Sequence, residues 1–347
     1  FTHGKDFAVR ARLDKPPEKL DYLAEPTGGD QLWLIYLRGR RWSEPVPVTP
    51  AGQDLFRPAI AVDGTGRVWV FWSANVGGNW ELFARSMQGG RWSEPIRLTS
   101  SPGPDIFPAA ATDSAGRVWL AWQAFRGNNS DILLVRQEGA RFGKPVVIAG
   151  SPANEWTPAV AASRTGEVAI AWGTYAKGDY DVYCRISSAG RLGKPIPIAA
   201  TRKAEMRPSI TYDPAGRLWI AYELSPEKWG KDWGALEKEG VALYQRRQVG
   251  VRVWANGRLL QPVDEPVSAF LPRARQRKQI PWRLKLALPR LATDATGRVW
   301  LAVRTAWMGS RTGVGTTWFE HLSWYEADHW VSQIFCPETD NWLDNRP

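Results

Sequence analysis

Between Pro58 and Thr99 the apolar residues come in four short runs separated by turn formers. Pro58-Ala59-Ile60-Ala61-Val62 leads into Asp63-Gly64-Thr65-Gly66, and Arg67-Val68-Trp69-Val70-Phe71-Trp72 follows. Trp80-Glu81-Leu82-Phe83-Ala84-Arg85 is the third run. After Gly89-Gly90, Arg91-Trp92-Ser93-Glu94-Pro95-Ile96-Arg97-Leu98-Thr99 is the fourth. Runs of this length, bounded by Gly, Asp and Asn, predict a four-stranded antiparallel meander.

The pattern returns every 50 residues. Pro58, Pro108, Pro158 and Pro208 open it, and Gly66, Gly116, Gly166 and Gly216 mark the first turn, with Asp63, Asp113, Ser163 and Asp213 three residues earlier. Trp72, Trp122, Trp172 and Tyr222 close the second run, and Pro45, Pro95, Pro145 and Pro195 mark the fourth. A further copy starts at Pro289, with Asp294, Gly297 and Trp300 in register. One four-stranded sheet cannot bury both faces alone, so a β repeat of this length predicts an all-β propeller of four-stranded antiparallel blades. About six blades are expected: five are clear, a sixth is partial, and seven remain open. Small residues in each opening strand (Ala59, Ala61, Ala109, Ala111, Ala159, Ala161, Ser209, Thr211, Ala292) suit the crowded axis of such a ring. The tryptophans of the outer strands suit its wider gaps.

One repeat running through most of the chain predicts a single domain over residues 1–347, with blades at about 31–49 (partial), 58–100, 108–150, 158–200, 208–265 and 289–337. Residues 1–30 match the repeat poorly. Two inserts, at 223–240 and 263–288, break the period, and propeller topology places both on one face around the axial funnel. Loops on a rigid scaffold are where binding usually resides. Asp344-Asn345-Arg346-Pro347 reads as the start of another opening strand, so the chain is expected to be cut from a longer protein.

Composition narrows the picture further. The chain has 347 residues, a net charge of +10 and a pI near 9.7, which suits an anionic ligand as well as general solubility. No apolar run approaches the roughly 20 residues of a membrane span. The basic run from Arg273 to Lys285 is interleaved with Leu271, Ile280, Trp282 and Leu284, so it reads as a docked excursion with a solvated basic side rather than a nucleic-acid surface. Cys184 and Cys336 fall in different blades, so no disulfide is expected. His3, His321 and His329 lack metal-ligand spacing, and neither a metal nor a cofactor is expected. The chain begins at Phe1, which leaves room for a removed signal peptide.

The candidate chemistry clusters where the opening strands begin. Arg57, Arg207 and Arg346 precede Pro58, Pro208 and Pro347, and Arg290 follows Pro289, while Asp54, Asp105, Glu155, Glu205 and Asp344 lie just upstream. Repetition turns these positions into a ring, in which planar guanidinium forks suit a carboxylate, sulfate or phosphate. The alternative is that each arginine pairs with a nearby acid and pins its strand. Trp229, Lys231, Asp232 and Trp233 form a second candidate cluster, with aromatic faces for sugar rings beside charged groups. Its alternative is a lid packing its own tryptophans. The Asp-x-x-Gly turns read as structural, with Asp accepting backbone N–H bonds and Gly supplying positive φ.

The repeat resembles the sialidase-like propellers. Phe56-Arg57-Pro58 is one residue short of their first-arginine motif, and Asp113-Ser114-Ala115-Gly116-Arg117-Val118-Trp119 is one residue longer than their Asp-box. The Tyr/Glu nucleophilic pair of that group has no counterpart that can be named here. From about residue 31 onward, Trp229-Gly230-Lys231-Asp232-Trp233-Gly234, Tyr244-Gln245-Arg246-Arg247 and Asp344-Asn345-Arg346-Pro347 are similar to a bacterial family of unknown function. In that family such a propeller precedes a PHP-type metal-dependent hydrolase domain. The resemblance implies a covalently linked hydrolase beyond residue 347 and a periplasmic or extracellular location. The expectation is a non-catalytic module for ligand recognition or domain docking that binds an anionic or carbohydrate ligand at its loop-rich face. The alternative is a sialidase-like glycoside hydrolase with an arginine-lined funnel.

Overall fold

A computed structural model describes residues 28–230, 240–241, 246–262, 285–308 and 316–341. Among these there is no helix, and the chain is built of antiparallel sheets taken in sequence order, the β-propeller class of fold. Among the described residues no helix is long and apolar enough to cross a membrane. The chain divides into two compact units, Phe1–Ala149 and Gly150–Pro347.

In the first unit, Trp33–Leu34 pairs with Val46–Pro47 and Leu37–Arg38 with Arg41–Trp42. Two complete sheets follow. The first runs Leu55–Val62, Val68–Val76 and Asn79–Gln88; the second runs Asp105–Thr112, Val118–Arg126 and Asn129–Glu138. Their predicted fourth strand is split. Arg91–Trp92 and Ile96–Arg97 both pair with the third strand of the first sheet, as Arg141–Phe142 and Val146–Ala149 do in the second. The gap falls at Pro95 and Pro145, where a residue without an N–H cannot donate to the ladder.

The second unit holds three more sheets. The third is Glu155–Ala162, Val168–Thr174, Asp181–Ser188 and two short outer strands. The fourth is Ala204–Tyr212, Leu218–Ser225, Gln248–Ala255 and Arg258–Leu260. The fifth is Lys285–Thr293, Val299–Met308, Thr316–Glu326 and His329–Asn341.

Sheet packs on sheet within each unit. Trp69, Phe71, Leu82 and Ala84 of the first sheet meet Leu120, Trp122, Leu133 and Val135 of the second. Ala169, Ala171 and Val182 of the third meet Ile210, Leu218 and Ile220 of the fourth, whose Trp219, Val249 and Val251 pack on Leu291, Leu301 and Val303 of the fifth. Burying each of the larger aliphatic side chains among these is worth about 2 kcal/mol.

The Asp-x-x-Gly turns hold the base of four of the five sheets. In the first, Asp63 Oδ1 accepts the N–H groups of Thr65 and Arg67, and Oδ2 accepts Trp69 Nε1 at 3.0 Å. The indole bond recurs at Asp113–Trp119 (2.8 Å), Asp213–Trp219 (2.9 Å) and Asp294–Trp300 (2.7 Å). The third sheet replaces both partners at once: Ser163 stands for the acid and Ala169 for the indole. Ser163 Oγ still accepts the N–H of Glu167, so the backbone half of the motif survives without the indole half.

Candidate functional site

The opening strand of every complete sheet carries a β-bulge before its proline, with register shifts between Phe56/Ala59, Ile106/Ala109, Trp156/Ala159, Met206/Ser209 and Ala287/Arg290. The residue preceding each proline is left-handed: Arg57 (φ 45), Phe107 (55), Thr157 (46), Arg207 (52) and Leu288 (52). Proline normally pushes its predecessor toward extended backbone, and a non-glycine residue in this region is strained. Bulges re-aim side chains, and this one sets the direction of Arg57 and Arg207.

In the first unit the Arg57 guanidinium lies 5.1 Å from the Phe107 ring centroid and 5.8 Å from that of Phe56. These two rings meet edge to face at 5.2 Å, and Trp80 packs on Phe56. Arg57 is thus held on an aromatic cradle built from two left-handed bulges.

In the second unit Arg207 and Arg290 gather around Glu223, which is 1% exposed. Arg207 Nη1 donates to Glu223 Oε2 at 2.9 Å, and the N–H of Leu288 donates to Oε1 at 2.8 Å. Arg247 Nη1 lies 4.0 Å from the same carboxylate. Arg290 joins them from the fifth sheet. Burial depresses its guanidinium, Glu223 and Glu320 oppose that shift, and Arg207 adds to it by repulsion. Burial raises the Glu320 carboxyl above its ordinary range against the pull of Arg304 and Arg290. Four guanidinium groups therefore share a neighbourhood with two carboxylates. The Arg207 side chain stays 41% exposed, while the Glu223 that anchors it is buried.

Trp229 connects the two clusters expected from sequence. Its indole is 5% exposed and packs with Ala204, Met206 and Val241, edge-on to Tyr180. Packing, not display, is therefore its role, which corrects the expectation of a sugar-stacking face. The Arg247 guanidinium sits 5.2 Å from its ring centroid, so Trp229 also supports a member of the arginine group. Lys231, Asp232, Trp233 and Arg346, and most of both long inserts, lie outside the described residues.

The described acids upstream of the prolines have partners of other kinds. Asp105 accepts Trp122 Nε1 and Arg126 Nη2, both at 2.7 Å, and burial raises its carboxyl against the Arg126 charge. Glu155 accepts from Ser151, and Glu205 from Thr201. Asp54 accepts from Asn75. The partner of Arg207 comes from the neighbouring strand, where Met206 pairs with Glu223. Sequence reading passed over Glu223 and Glu320. It also passed over Glu81, Asp131 and Asp181, whose 50-residue spacing was an available signal.

No known family pattern and no characterised sequence matches the chain. Among solved structures, an ulvan lyase, described as a new family of polysaccharide lyase, is 11% identical over 85% of this chain and 75% of that one, with a TM-score of 0.53. The same lyase bound to a -[GlcA(1-4)Rha3S]- fragment matches with a TM-score of 0.52, also at 11% identity and with the same coverage. A Hadza microbial sialidase is 10% identical over 80% of this chain and 65% of that chain, with a TM-score of 0.46. The ulvan lyase likeness supports the fold alone.

Proposed function

We propose that this protein is a carbohydrate-recognition module whose arginine cluster takes an anionic sugar unit, a uronate or a sulfated residue. One observation carries the reading: Arg207 is fixed from behind by buried Glu223 yet keeps its outer edge in solvent, with Arg247 and Arg290 beside it. A guanidinium held at one edge is preorganised to offer its remaining N–H groups to a carboxylate or sulfate. The repulsion between Arg207 and Arg290 would be relieved by a bound anion. The ulvan lyase, similar in fold and solved with a glucuronate-containing sulfated fragment, suggests which probes to try first. Such a module would hold its ligand for the linked hydrolase domain that the sequence resemblance implies.

Titration calorimetry with uronate and sulfated oligosaccharides against neutral ones tests this. Arg207→Ala should weaken binding of the anionic probe about tenfold or more, the usual loss when a charged hydrogen-bond partner is removed. Equal binding of neutral probes, or no change on Arg207→Ala, would overturn it. A second reading, a glycoside hydrolase, draws on Glu320, whose burial favours the protonated acid a leaving group needs. Release of reducing ends by the wild type, abolished by Glu320→Gln, would favour that reading over recognition alone.

A further inference from the structure

The two short pairings that open the first unit are the outer half of a sheet. Trp33 pairs with Pro47, Leu34 with Val46, Leu37 with Trp42 and Arg38 with Arg41. Each pair recurs 50 residues later in the first complete sheet, as Phe83 with Arg97, Ala84 with Ile96, Met87 with Trp92 and Gln88 with Arg91. Residues 31–49 are therefore a third strand and its split fourth, in unchanged register. In the complete sheet the second strand runs along the inner edge of the third, pairing Trp72 with Phe83 and Val70 with Arg85. No described strand runs along the corresponding edge of Trp33–Leu34. The carbonyls of Leu32 and Tyr36 point to the outer side, accepting the N–H groups of Val48 (2.8 Å) and Ser43 (2.9 Å). Backbone groups alternate in direction along a strand, so those of Trp33 and Ile35 face the inner edge.

The neighbouring sheet supplies a wall beside that edge. Ile60 and Val62, on its opening strand, are 54% and 50% exposed. Their counterparts in the fourth sheet, Ile210 and Tyr212, are only 7% and 8% exposed, packed with Ala161, Ala169 and Ala171 from the first two strands of the third sheet. Ala110 of the second sheet likewise packs against the cluster that holds Ala61 and Trp69 of the first. Where a whole sheet precedes, its first two strands cover this position. Ahead of the first complete sheet, Leu32, Leu34 and Val48 cover Val70 and Trp72, one strand further out. What fits between the inner edge and the Ile60–Val62 wall is a pair of strands, and an edge of this kind is a template for strand addition.

The chain ahead of Gly28 has the length and the pattern to fill that place. Residues 1–27 lie outside the described residues. The first two strands of the first complete sheet run from Leu55 to Val76, and Gly77-Gly78 leads into the third. Fifty residues earlier the same span covers Lys5 to Pro26, followed by Thr27-Gly28, and Gly28 is left-handed as Gly77 is (φ 65 and 62). Within the span, Val9-Arg10-Ala11-Arg12-Leu13 and Leu20-Asp21-Tyr22 alternate apolar with charged residues on either side of Asp14-Lys15-Pro16-Pro17. Such alternation about a turn reads as a hairpin with one apolar face. Its charged face also explains why the segment matches the repeat poorly, since second strands such as Val68-Trp69-Val70-Phe71-Trp72 are apolar on both faces.

We propose that residues 9–22 dock as the first two strands of this half-sheet, pairing with the inner edge at Gln31–Leu37 and laying Val9, Ala11, Leu20 and Tyr22 over Ile60 and Val62. The docked segment completes a further four-stranded sheet and blocks an edge that would recruit a strand from another chain.

Hydrogen exchange of the full chain, followed by mass spectrometry, tests this. Amides over Gln31–Leu37 should be protected, and in a chain beginning at Gly28 they should exchange at least about tenfold faster. A synthetic peptide of residues 1–27, added to the shortened chain, should restore the protection. If the shortened chain does not fold, as judged by circular dichroism, Tyr22→Asp in the full chain replaces it. That charge on the apolar face should also speed exchange about tenfold, whereas Arg10→Asp on the opposite face should leave it unchanged. Equal protection with and without residues 1–27, or exchange unmoved by Tyr22→Asp, would overturn the proposal. So would protection that rises with protein concentration, the mark of a second copy at the edge.

Discussion

Asp63 shows how much one side chain can secure in this fold. It accepts from two backbone N–H groups, the Thr65 hydroxyl, the Trp69 indole and Gln137 of the next sheet, so both oxygens are engaged. Asp63→Ala strands these donors, and we expect a loss of about 3 kcal/mol in urea unfolding. Ser163→Ala, at the equivalent place in the third sheet, should cost only about 1 kcal/mol, because Ala169 leaves no indole to strand. Cys184 is the opposite kind of residue, a small thiol set wholly in the core. Burial pushes its thiol up to about 12. In a Cys336→Ser variant the native protein should therefore resist thiol reagents and react only once unfolded, a difference read by mass spectrometry.

At the scale of elements, the strands were legible in the sequence and the bulges were not. Apolar runs and turn residues marked the first three strands of the first sheet, and the first two of the other sheets, to within a few residues. The bulge before each proline left no compositional trace, because Arg, Phe, Thr, Arg and Leu share nothing but their position. The split outer strand could have been foreseen from Pro95, Pro145 and Pro195, which forbid an unbroken ladder there. Turn glycines also differ in a way the repeat conceals. Gly66 and Gly116 share left-handed φ, but a Cβ on Gly66 meets open space, whereas one on Gly116 would lie 2.5 Å from the Gly64 Cα. Gly66→Ala should cost about 1 kcal/mol and Gly116→Ala at least about 2 kcal/mol more, as overpacking adds to backbone strain. Equal melting temperatures for the two variants would contradict that account.

For the molecule as a whole, two sets of carboxylates set opposite limits on stability against pH. Asp63, Asp113 and Asp294 are held below the ordinary aspartate value of 3.8. At Asp63 and Asp113 hydrogen bonds outweigh burial, and at Asp294 the bonds from Thr296 and Trp300 lead. Their contribution is present above 3.8 and is lost as pH falls through the lower folded values. Asp105, Asp131, Asp181, Glu205 and Glu320 are raised, chiefly by burial, so theirs is complete below the ordinary values and lost as pH rises through the higher folded ones. The melting temperature should peak within the ordinary carboxylate range, and Glu205→Gln should flatten the decline on the alkaline side. The candidate site was half legible for a related reason. Arg207 and Arg290 flank prolines that punctuate the repeat, so they stood out. Glu223 and Glu320 come from second and third strands and Arg247 from just before a third, where partnership depends on register between strands far apart in sequence.

The left-handed residue before each proline has a consequence for how such a protein diversifies. That corner is imposed by the ladder on either side, so its occupant can be exchanged without rewriting the sheet behind it. Five corners already hold a cation twice, an aromatic ring, a hydroxyl and an aliphatic chain. A lineage could alter what the protein grips by trading single letters at these corners while its scaffold stays the same.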